Sequence, residues 1–136
     1  MHKHSIETRL MAFGDDWMEK YQYIMALGER LPVLPEEYKT DEYKVDGCIS
    51  QVWLKMNVSD DAVLTFTGDS DSAIVKGLVA ILRELLSERS GKEIVSEDVE
   101  GFFQRVGLEE HISMNRRNGF FSMVGNIKKA AAVLVH

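Results

Sequence analysis

The chain has 136 residues, of which 45% are hydrophobic and 28% charged, and its formal net charge at pH 7 is −6. These values are ordinary for a globular protein and exclude a disordered chain. The negative balance argues against broad nucleic-acid binding, which needs a basic surface, and no apolar run is long enough to span a bilayer. We therefore expect one domain over residues 1–136, with no nucleic acid and no membrane as partners.

The first predicted element is a long helix from residue 6 to about residue 28. Its apolar residues recur at three- and four-residue spacing, which is typical of a helix face packed on a core. This stripe consists of Ile6, Leu10, Phe13, Trp17, Tyr21, Ile24 and Leu27. Pro32 and Pro35 then predict an extended linker. The polar residues 36–43 that follow are expected to form a solvated loop or one short helical turn.

Strand alternation begins near residue 49 and continues to residue 58, with alternate side chains on opposite faces. A turn at Ser59-Asp60-Asp61 separates this strand from a second one, Ala62 to Thr67. An antiparallel hairpin is the natural pairing of two strands joined so closely. One further short strand around Lys44-Val45 is expected to complete a small sheet.

A central helix is predicted to open at residues 68–71 and to run to about Ser90. Either Ser70 or Asp71 is expected to cap its free backbone N–H groups, and acidic side chains suit the positive end of a helix. Gly77 is expected to let this helix pack closely against the sheet.

Shorter elements follow, namely a brief helical turn at residues 94–99 and a short segment capped by Ser113. The last helix is predicted from about Arg117 to Val135, with one apolar face. The expected fold class is therefore α+β. A small antiparallel sheet of two to three strands packs against a long N-terminal helix, a central helix and a C-terminal helix.

The chain contains one cysteine, Cys48, which lies where a loop feeds the first predicted strand. Asp46-Gly47 directly before it are typical of a backbone turn, because glycine adopts positive φ without steric cost. A lone cysteine is often a small buried hydrophobe, and local chemistry leaves that interpretation and a reactive thiol both open. One cysteine cannot form an internal disulfide and fits a reducing compartment, so we expect the protein in the cytoplasm.

Three successive parts of the chain resemble the hallmarks of the SufE family of sulfur-acceptor proteins. The first comprises Leu31-Pro32-Val33-Leu34-Pro35, Tyr38 to Lys44, and Asp46-Gly47-Cys48-Ile49-Ser50-Gln51-Val52-Trp53. The second is Gly68-Asp69-Ser70-Asp71-Ser72-Ala73-Ile74-Val75-Lys76-Gly77-Leu78, and the third is His111-Ile112-Ser113-Met114-Asn115-Arg116-Arg117-Asn118-Gly119. The resemblance covers roughly residues 10–132 and implies a fold similar to that of cluster-scaffold proteins.

The resemblance also implies a function. Proteins of this family take sulfane sulfur from a PLP-dependent cysteine desulfurase, stimulate that enzyme, and pass the sulfur to a cluster-assembly scaffold complex. By position, Cys48 is the sulfur acceptor, and Arg116 falls on the family's arginine. Arg116 is a candidate for desulfurase contact or for orienting the loop, with a structural salt bridge as the alternative. Asp46, Gly47 and Asp71 are the other binding candidates, although a purely structural role for Asp71 stays open.

Two features near the cysteine affect its expected chemistry. A free cysteine titrates near pH ~8.5, and the negative charge of the neighbouring Asp46 is expected to raise the pKa of Cys48 further. We therefore expect the thiol to depend on positive charge from a partner. Ile49 departs from the commonest family pattern, where a polar residue is frequent, which favours a loop seated in an apolar pocket.

Other kinds of site have little support in the sequence. The four histidines are not spaced as zinc ligands, and iron–sulfur clusters take several thiolates, so we expect no metal and no cofactor. A cysteine hydrolase needs a histidine near the thiol, and nothing around His111 suggests a catalytic triad. The alternative function is a partner-binding adaptor of cluster assembly that carries no sulfur. A thiol enzyme acting on small molecules is the third hypothesis.

Overall fold

The computed structural model describes residues 3–47 and 50–135, and within them the fold is α+β. The helices and strands are α1 Lys3–Ala12, α2 Trp17–Glu29, β1 Val52–Val58, β2 Val63–Ser70, α3 Ala73–Leu86, β3 Arg89–Ser90, α4 Gly91–Ser96, α5 Val99–Arg105 and α6 Met114–Ala132. The strands form one antiparallel sheet in the order β1-β2-β3. The expected class, a small antiparallel sheet packed with several helices, is confirmed.

The N-terminal stripe forms two helices, so the prediction of one long helix was wrong. Gly14, between α1 and α2, has a φ of +57°, in the left-handed region that a helix interior does not tolerate. Asp16 then caps α2 by accepting a hydrogen bond from the Glu19 backbone N–H at 3.2 Å. Apolar spacing continues across this break, and periodicity alone therefore did not reveal it.

The predicted hairpin is confirmed. Strands β1 and β2 pair from Val52 opposite Ser70 to Val58 opposite Leu64. Its turn is closed by a hydrogen bond of 3.0 Å from the Ala62 N–H to the Ser59 carbonyl. Strand β2 continues past its predicted end at Thr67 to Ser70 and takes the place of the first turn of the predicted central helix.

The third strand is not where it was predicted. Around Lys44 the chain forms only an isolated bridge to Trp53, whereas Arg89–Ser90 pairs with β2 and completes the sheet. Helix α3 therefore stops at Leu86, before its predicted end at about Ser90. Glu88 has a φ of +63°, and this turn redirects the chain from the helix into β3.

Helix α3 is the centre of the core, because it packs against α1, α2, α6 and β2, and most of its residues are buried. Its Gly77 lies against α2 and not against the sheet, contrary to the prediction. A Cβ on Gly77 would lie 2.2 Å from the Ile24 carbonyl oxygen. On the facing helix, a Cβ on Gly28 would lie 2.7 Å from the Gly77 nitrogen. These two glycines let the backbones of α2 and α3 meet.

The C-terminal part contains more helix than predicted. The expected single turn at residues 94–99 corresponds to α4 and the start of α5. Ser113 caps α6 itself, accepting a hydrogen bond from the Arg116 N–H at 3.3 Å, so this helix starts before its predicted first residue, Arg117. The buried side of α6 comprises Gly119, Phe120, Met123, Val124, Ile127 and Ala131. This side fixes α6 to the core.

Lys20 is a buried charged side chain, with 5% of its surface exposed. Its Nζ donates a hydrogen bond of 2.9 Å to the carbonyl of Val106, the residue that ends α5. A Cβ on Gly107, whose φ is +76°, would lie 2.9 Å from the same Nζ. The lysine thus satisfies a helix end, where cations are favoured.

Candidate functional site

The predicted turn at Asp46-Gly47 is present, and it ends a segment that is fixed to β1. Gly47 has a φ of +86°, as the glycine of such a turn requires. Just before it, the Val45 N–H donates to the Val52 carbonyl at 2.8 Å, and the Leu54 N–H donates to the Tyr43 carbonyl at 2.9 Å. Asp46 and Gly47 are exposed. The chain therefore leaves the sheet at a defined point.

Cys48 and Ile49, on which the main functional prediction falls, lie outside the described residues. The residues on both sides of them are described, and they define the two stems of the cysteine loop. The first stem is Val45 to Gly47, and the second stem is Ser50 to Gln51.

Asp71 holds the second stem. The Gln51 N–H donates to the Asp71 carboxylate at 3.0 Å, and the Asp71 N–H donates to the Gln51 carbonyl at 3.2 Å. The expectation that Ser70 or Asp71 caps α3 was wrong, because Ser72 is the cap and accepts from the Val75 N–H at 3.4 Å. The Asp71 carboxylate is thereby directed to the loop stem and not to the helix.

The first stem rests on α6 through Ser122. A Cβ placed on Gly47 would lie 2.9 Å from the Ser122 Oγ and 3.9 Å from its Cβ. Ser122 is half-buried and lies on the side of α6 opposite the core-facing Phe120 and Val124. Sequence reasoning missed this residue, because no local pattern marks a contact between segments so far apart in the chain.

Arg116 lies in the first turn of α6 and is half-buried. Residues 3–47 and 50–135 contain no ion pair to its guanidinium, whereas the next residue, Arg117, pairs with Glu109 at 3.2 Å. Arg116 precedes Ser122 by about 9 Å along the helix axis. The described part of the chain brings Asp71 to the second stem and Gly47 to α6, but it shows no contact between Arg116 and either stem.

A charged network fixes the approach to the loop. We call residues 36–45 the approach segment; it begins with a 3₁₀ turn at Glu36–Tyr38, in agreement with the predicted short helical turn. Lys39 contacts Glu36 Oε1 and Asp69 Oδ2, each at 3.0 Å, and Asp69 also pairs with Lys76 at 3.3 Å. Asp69 lies at the end of β2, and Lys76 lies on α3. The network therefore joins the approach segment to both elements.

The approach segment also covers the outer face of β1 with aromatic rings. Tyr38 and Tyr43 meet edge to face with ring centroids 5.4 Å apart. Lys55 of β1 places its Nζ 5.3 Å from the Tyr38 ring and 5.7 Å from the Tyr43 ring, within cation–π range. Lys39 lies 6.0 Å from the ring of Trp53. Strand alternation predicted that Trp53 and Lys55 share this face, but not what covers it.

The network shifts the pKa values of its members. Burial alone would raise the pKa of Asp69, but hydrogen bonds from Lys39 and from the Ser70 N–H, with the charge of Lys76, outweigh it and lower that pKa. The hydrogen bond to Asp69, assisted by the one to Glu36, raises the pKa of Lys39. Both shifts favour the charged forms, so the ion pair is intact at neutral pH.

Within residues 3–47 and 50–135, no group of three or more His, Cys, Asp or Glu side chains has an arrangement that would hold a metal ion. None of the helices in the same ranges is long and apolar enough to cross a bilayer.

Residues 6–131 match the model of a family described as SufE, an Fe-S metabolism associated domain. An uncharacterized SufE-like protein of Rhizobium meliloti (strain 1021) is 46% identical over 123 residues, which cover 88% of each chain. A SufE-like protein of Rhizobium etli, also uncharacterized, is 45% identical over 124 residues, which cover 89% of this chain and 84% of that protein.

The fold is similar to that of a hypothetical protein from Thermus thermophilus, known from its solution structure. The TM-score is 0.75 at 18% sequence identity, and the match covers 98% of both chains.

Proposed function

The chain belongs to the SufE family, whose domain is associated with iron–sulfur metabolism, and from this premise we propose that it is a sulfur carrier. Cys48 accepts persulfide sulfur from a PLP-dependent cysteine desulfurase, and the chain stimulates that enzyme. The sulfur is then delivered to a cluster-assembly scaffold complex. The chain acts as a transfer partner and not as an enzyme with its own substrate, and it works in the cytoplasm.

The observation that carries the proposal is the pair of anchored stems around the only cysteine of the chain. The first stem leaves β1 at a glycine with a φ of +86° and rests on α6. The second stem is joined to Asp71 by two hydrogen bonds. A short loop between two fixed points is the kind of setting in which a rigid scaffold presents a reactive side chain.

The transfer is a thiol–persulfide exchange. The Cys48 thiolate attacks the outer sulfur of the persulfide on the desulfurase, a new S–S bond forms on Cys48, and the old S–S bond breaks. The inner sulfur of the donor leaves as a thiolate, so no external oxidant or reductant is consumed. Delivery repeats the exchange with the downstream acceptor as the attacking thiolate.

The charges near the loop suit activation by a partner. Asp46 lies in the first stem and Asp71 contacts the second, and both residues are exposed. Negative charge disfavours a thiolate, so a partner that brings cationic groups to the loop would favour the reactive form of the thiol. Arg116 on α6 has no ion pair in the described part of the chain and is a candidate for desulfurase contact.

Mass spectrometry of the intact chain tests the proposal. The protein is incubated with L-cysteine and the PLP-dependent cysteine desulfurase of its source organism, and then with or without a reductant. We expect a gain of about one sulfur atom per chain that the reductant reverses, and no gain in Cys48→Ser. No sulfur on the wild-type chain would overturn the carrier.

The same variant separates the carrier from the adaptor. If Cys48→Ser still stimulates the desulfurase and cluster assembly as well as the wild type does, the chain is a partner-binding adaptor that carries no sulfur. If both the sulfur gain and the stimulation disappear in a folded variant, the carrier function stands.

A further inference from the structure

We propose that Ser122 of α6 is a positioning residue for the sulfur acceptor, an inference that rests on the function proposed above. The side chain of Ser122 is the surface on which Gly47, the last residue before Cys48, rests. The role proposed for Ser122 is exerted through the backbone of Gly47.

Gly47 and the Ser122 side chain lie so close together that a methyl group on Gly47 would require the serine hydroxyl to move. A Cβ on Gly47 would lie 2.9 Å from the Ser122 Oγ, closer than non-bonded heavy atoms pack in proteins. The φ of +86° independently requires glycine at this position. The serine side chain therefore fills the space next to the bare Cα of Gly47 and limits how closely the first stem approaches α6.

Ser122 lies on a rigid support. The opposite side of α6 is buried, and Phe120 stacks on Phe103 of α5 with ring centroids 4.9 Å apart. The turn at Gly47 is exposed, so we expect it to be displaced more easily than helix α6. A larger side chain at position 122 is expected to displace Gly47 and not the helix.

A displacement of Gly47 is transmitted to Cys48 because consecutive Cα atoms are only about 3.8 Å apart. Thiol reactivity depends on access as well as on the thiolate fraction. We therefore expect a bulky residue at position 122 to displace Gly47 and, through it, to change the reactivity of the Cys48 thiol.

The test is the rate at which iodoacetamide alkylates Cys48 in the isolated full chain. We expect the alkylation rate of Ser122→Leu to differ from that of the wild type by at least about threefold. Ser5→Leu is the matched control, because Ser5 is an exposed serine on a different helix, α1, and its variant should react at the wild-type rate. A folded Ser122→Leu whose rate stays within about 1.5-fold of wild type overturns the proposal.

A second comparison decides the matter if Ser122→Leu does not fold. Gly47→Ala places a methyl group against the serine, whereas Gly47→Ala combined with Ser122→Ala gives that methyl group room. The φ strain is common to both proteins, so the difference between them isolates the contact. We expect the double variant to return toward the alkylation rate of the wild type. Equal rates in the single and double variants would contradict the positioning role.

Alkylation requires no desulfurase, so it tests Ser122 even if Cys48 accepts no sulfur. Conversely, suppose that the wild-type chain gains sulfur, whereas a folded Ser122→Leu shows unchanged alkylation and unchanged transfer. That result would rule out the positioning role of Ser122 and leave the carrier function intact. In the desulfurase assay, we expect Ser122→Leu to change the maximal transfer rate more than the half-saturating concentration of the carrier.

Discussion

Replacing Gly77 by alanine tests the close approach of the α2 and α3 backbones. The new Cβ would lie 2.2 Å from the Ile24 carbonyl oxygen and 2.5 Å from the Ile24 Cγ2. To reach an ordinary contact distance, α2 and α3 have to separate by about 1 Å. Overpacking of this kind costs about 1–3 kcal/mol, and backbone atoms relax less than side chains do. Because the atoms in contact include backbone, we take the upper end of that range, about 3 kcal/mol. Alanine gains about 1 kcal/mol in helix propensity, so we expect a net loss of about 2 kcal/mol.

Gly125→Ala is the matched control, because Gly125 is also inside a helix but has no atom within 4 Å of its Cβ position. Only helix propensity acts there, so we expect a gain of about 0.5–1 kcal/mol. Urea unfolding curves measure both variants, and the two midpoints should move in opposite directions at constant slope. A Gly77→Ala protein as stable as wild type, or two shifts of the same sign, would refute the close packing of α2 on α3.

Substitutions at three further positions test the second loop stem, the charged network and the buried lysine. Asp71→Ala removes the side-chain acceptor of the Gln51 N–H, a loss of about 1 kcal/mol, and we expect up to about fivefold faster alkylation of Cys48. Asp71→Asn keeps an acceptor oxygen and should alkylate at close to the wild-type rate; equal rates in both variants would contradict this hydrogen bond. The pKa of Asp69 in the folded state is lower than its ordinary value of 3.8. The ionised Asp69 carboxylate therefore contributes its full stabilisation of the fold above pH 3.8, and this contribution is lost as the pH falls through the folded-state pKa. The stability difference between wild type and Lys39→Met should accordingly be constant near neutral pH and shrink below pH 3.8; a difference that stays constant in acid would be inconsistent with this pair. Lys20→Met leaves a buried carbonyl at the end of α5 without its donor, and we expect a loss of about 1–2 kcal/mol in thermal or urea unfolding, with an unchanged midpoint as the contrary result.

Local patterns in the sequence predicted the parts of the fold that depend on neighbouring residues. Alternation indicated β1, and the short polar turn after it indicated the antiparallel pairing with β2. Periodicity could not place the break at Gly14, because the apolar stripe runs through it without a change in spacing. The end of α3 was missed for another reason: Gly91 is a plausible stop signal, but the chain turns earlier, at Glu88, to supply a strand for β2.

The sequence predicted those features of the candidate site that depend on neighbouring residues, but not its contacts between distant segments. Asp46-Gly47 predicts its own turn, and Asp71 was singled out both as a possible helix cap and as a binding candidate. Its actual contact with Gln51 joins two segments whose proximity depends on the β1–β2 register, which the sequence does not specify residue by residue. The contact of Ser122 with Gly47 depends on how α6 packs on the core, a tertiary property without a local signal.

The hydrogen bonds of the two stems give Cys48, the proposed sulfur acceptor, a short tether in the chain. Val45 is bonded to Val52 on one side and Gln51 to Asp71 on the other, so that Cys48 lies midway between the two anchors in the chain. An extended chain spans at most about 3.6 Å per residue, which limits the reach of this tether to about 10 Å from either anchor. A larger movement of this segment would break the hydrogen bonds of the stems and expose unpaired backbone at the edge of β1, a known route to aggregation. If Cys48 is the sulfur acceptor, as proposed above, we expect the donor protein to present its persulfide within this distance of the anchors for as long as the hydrogen bonds of the stems stay intact.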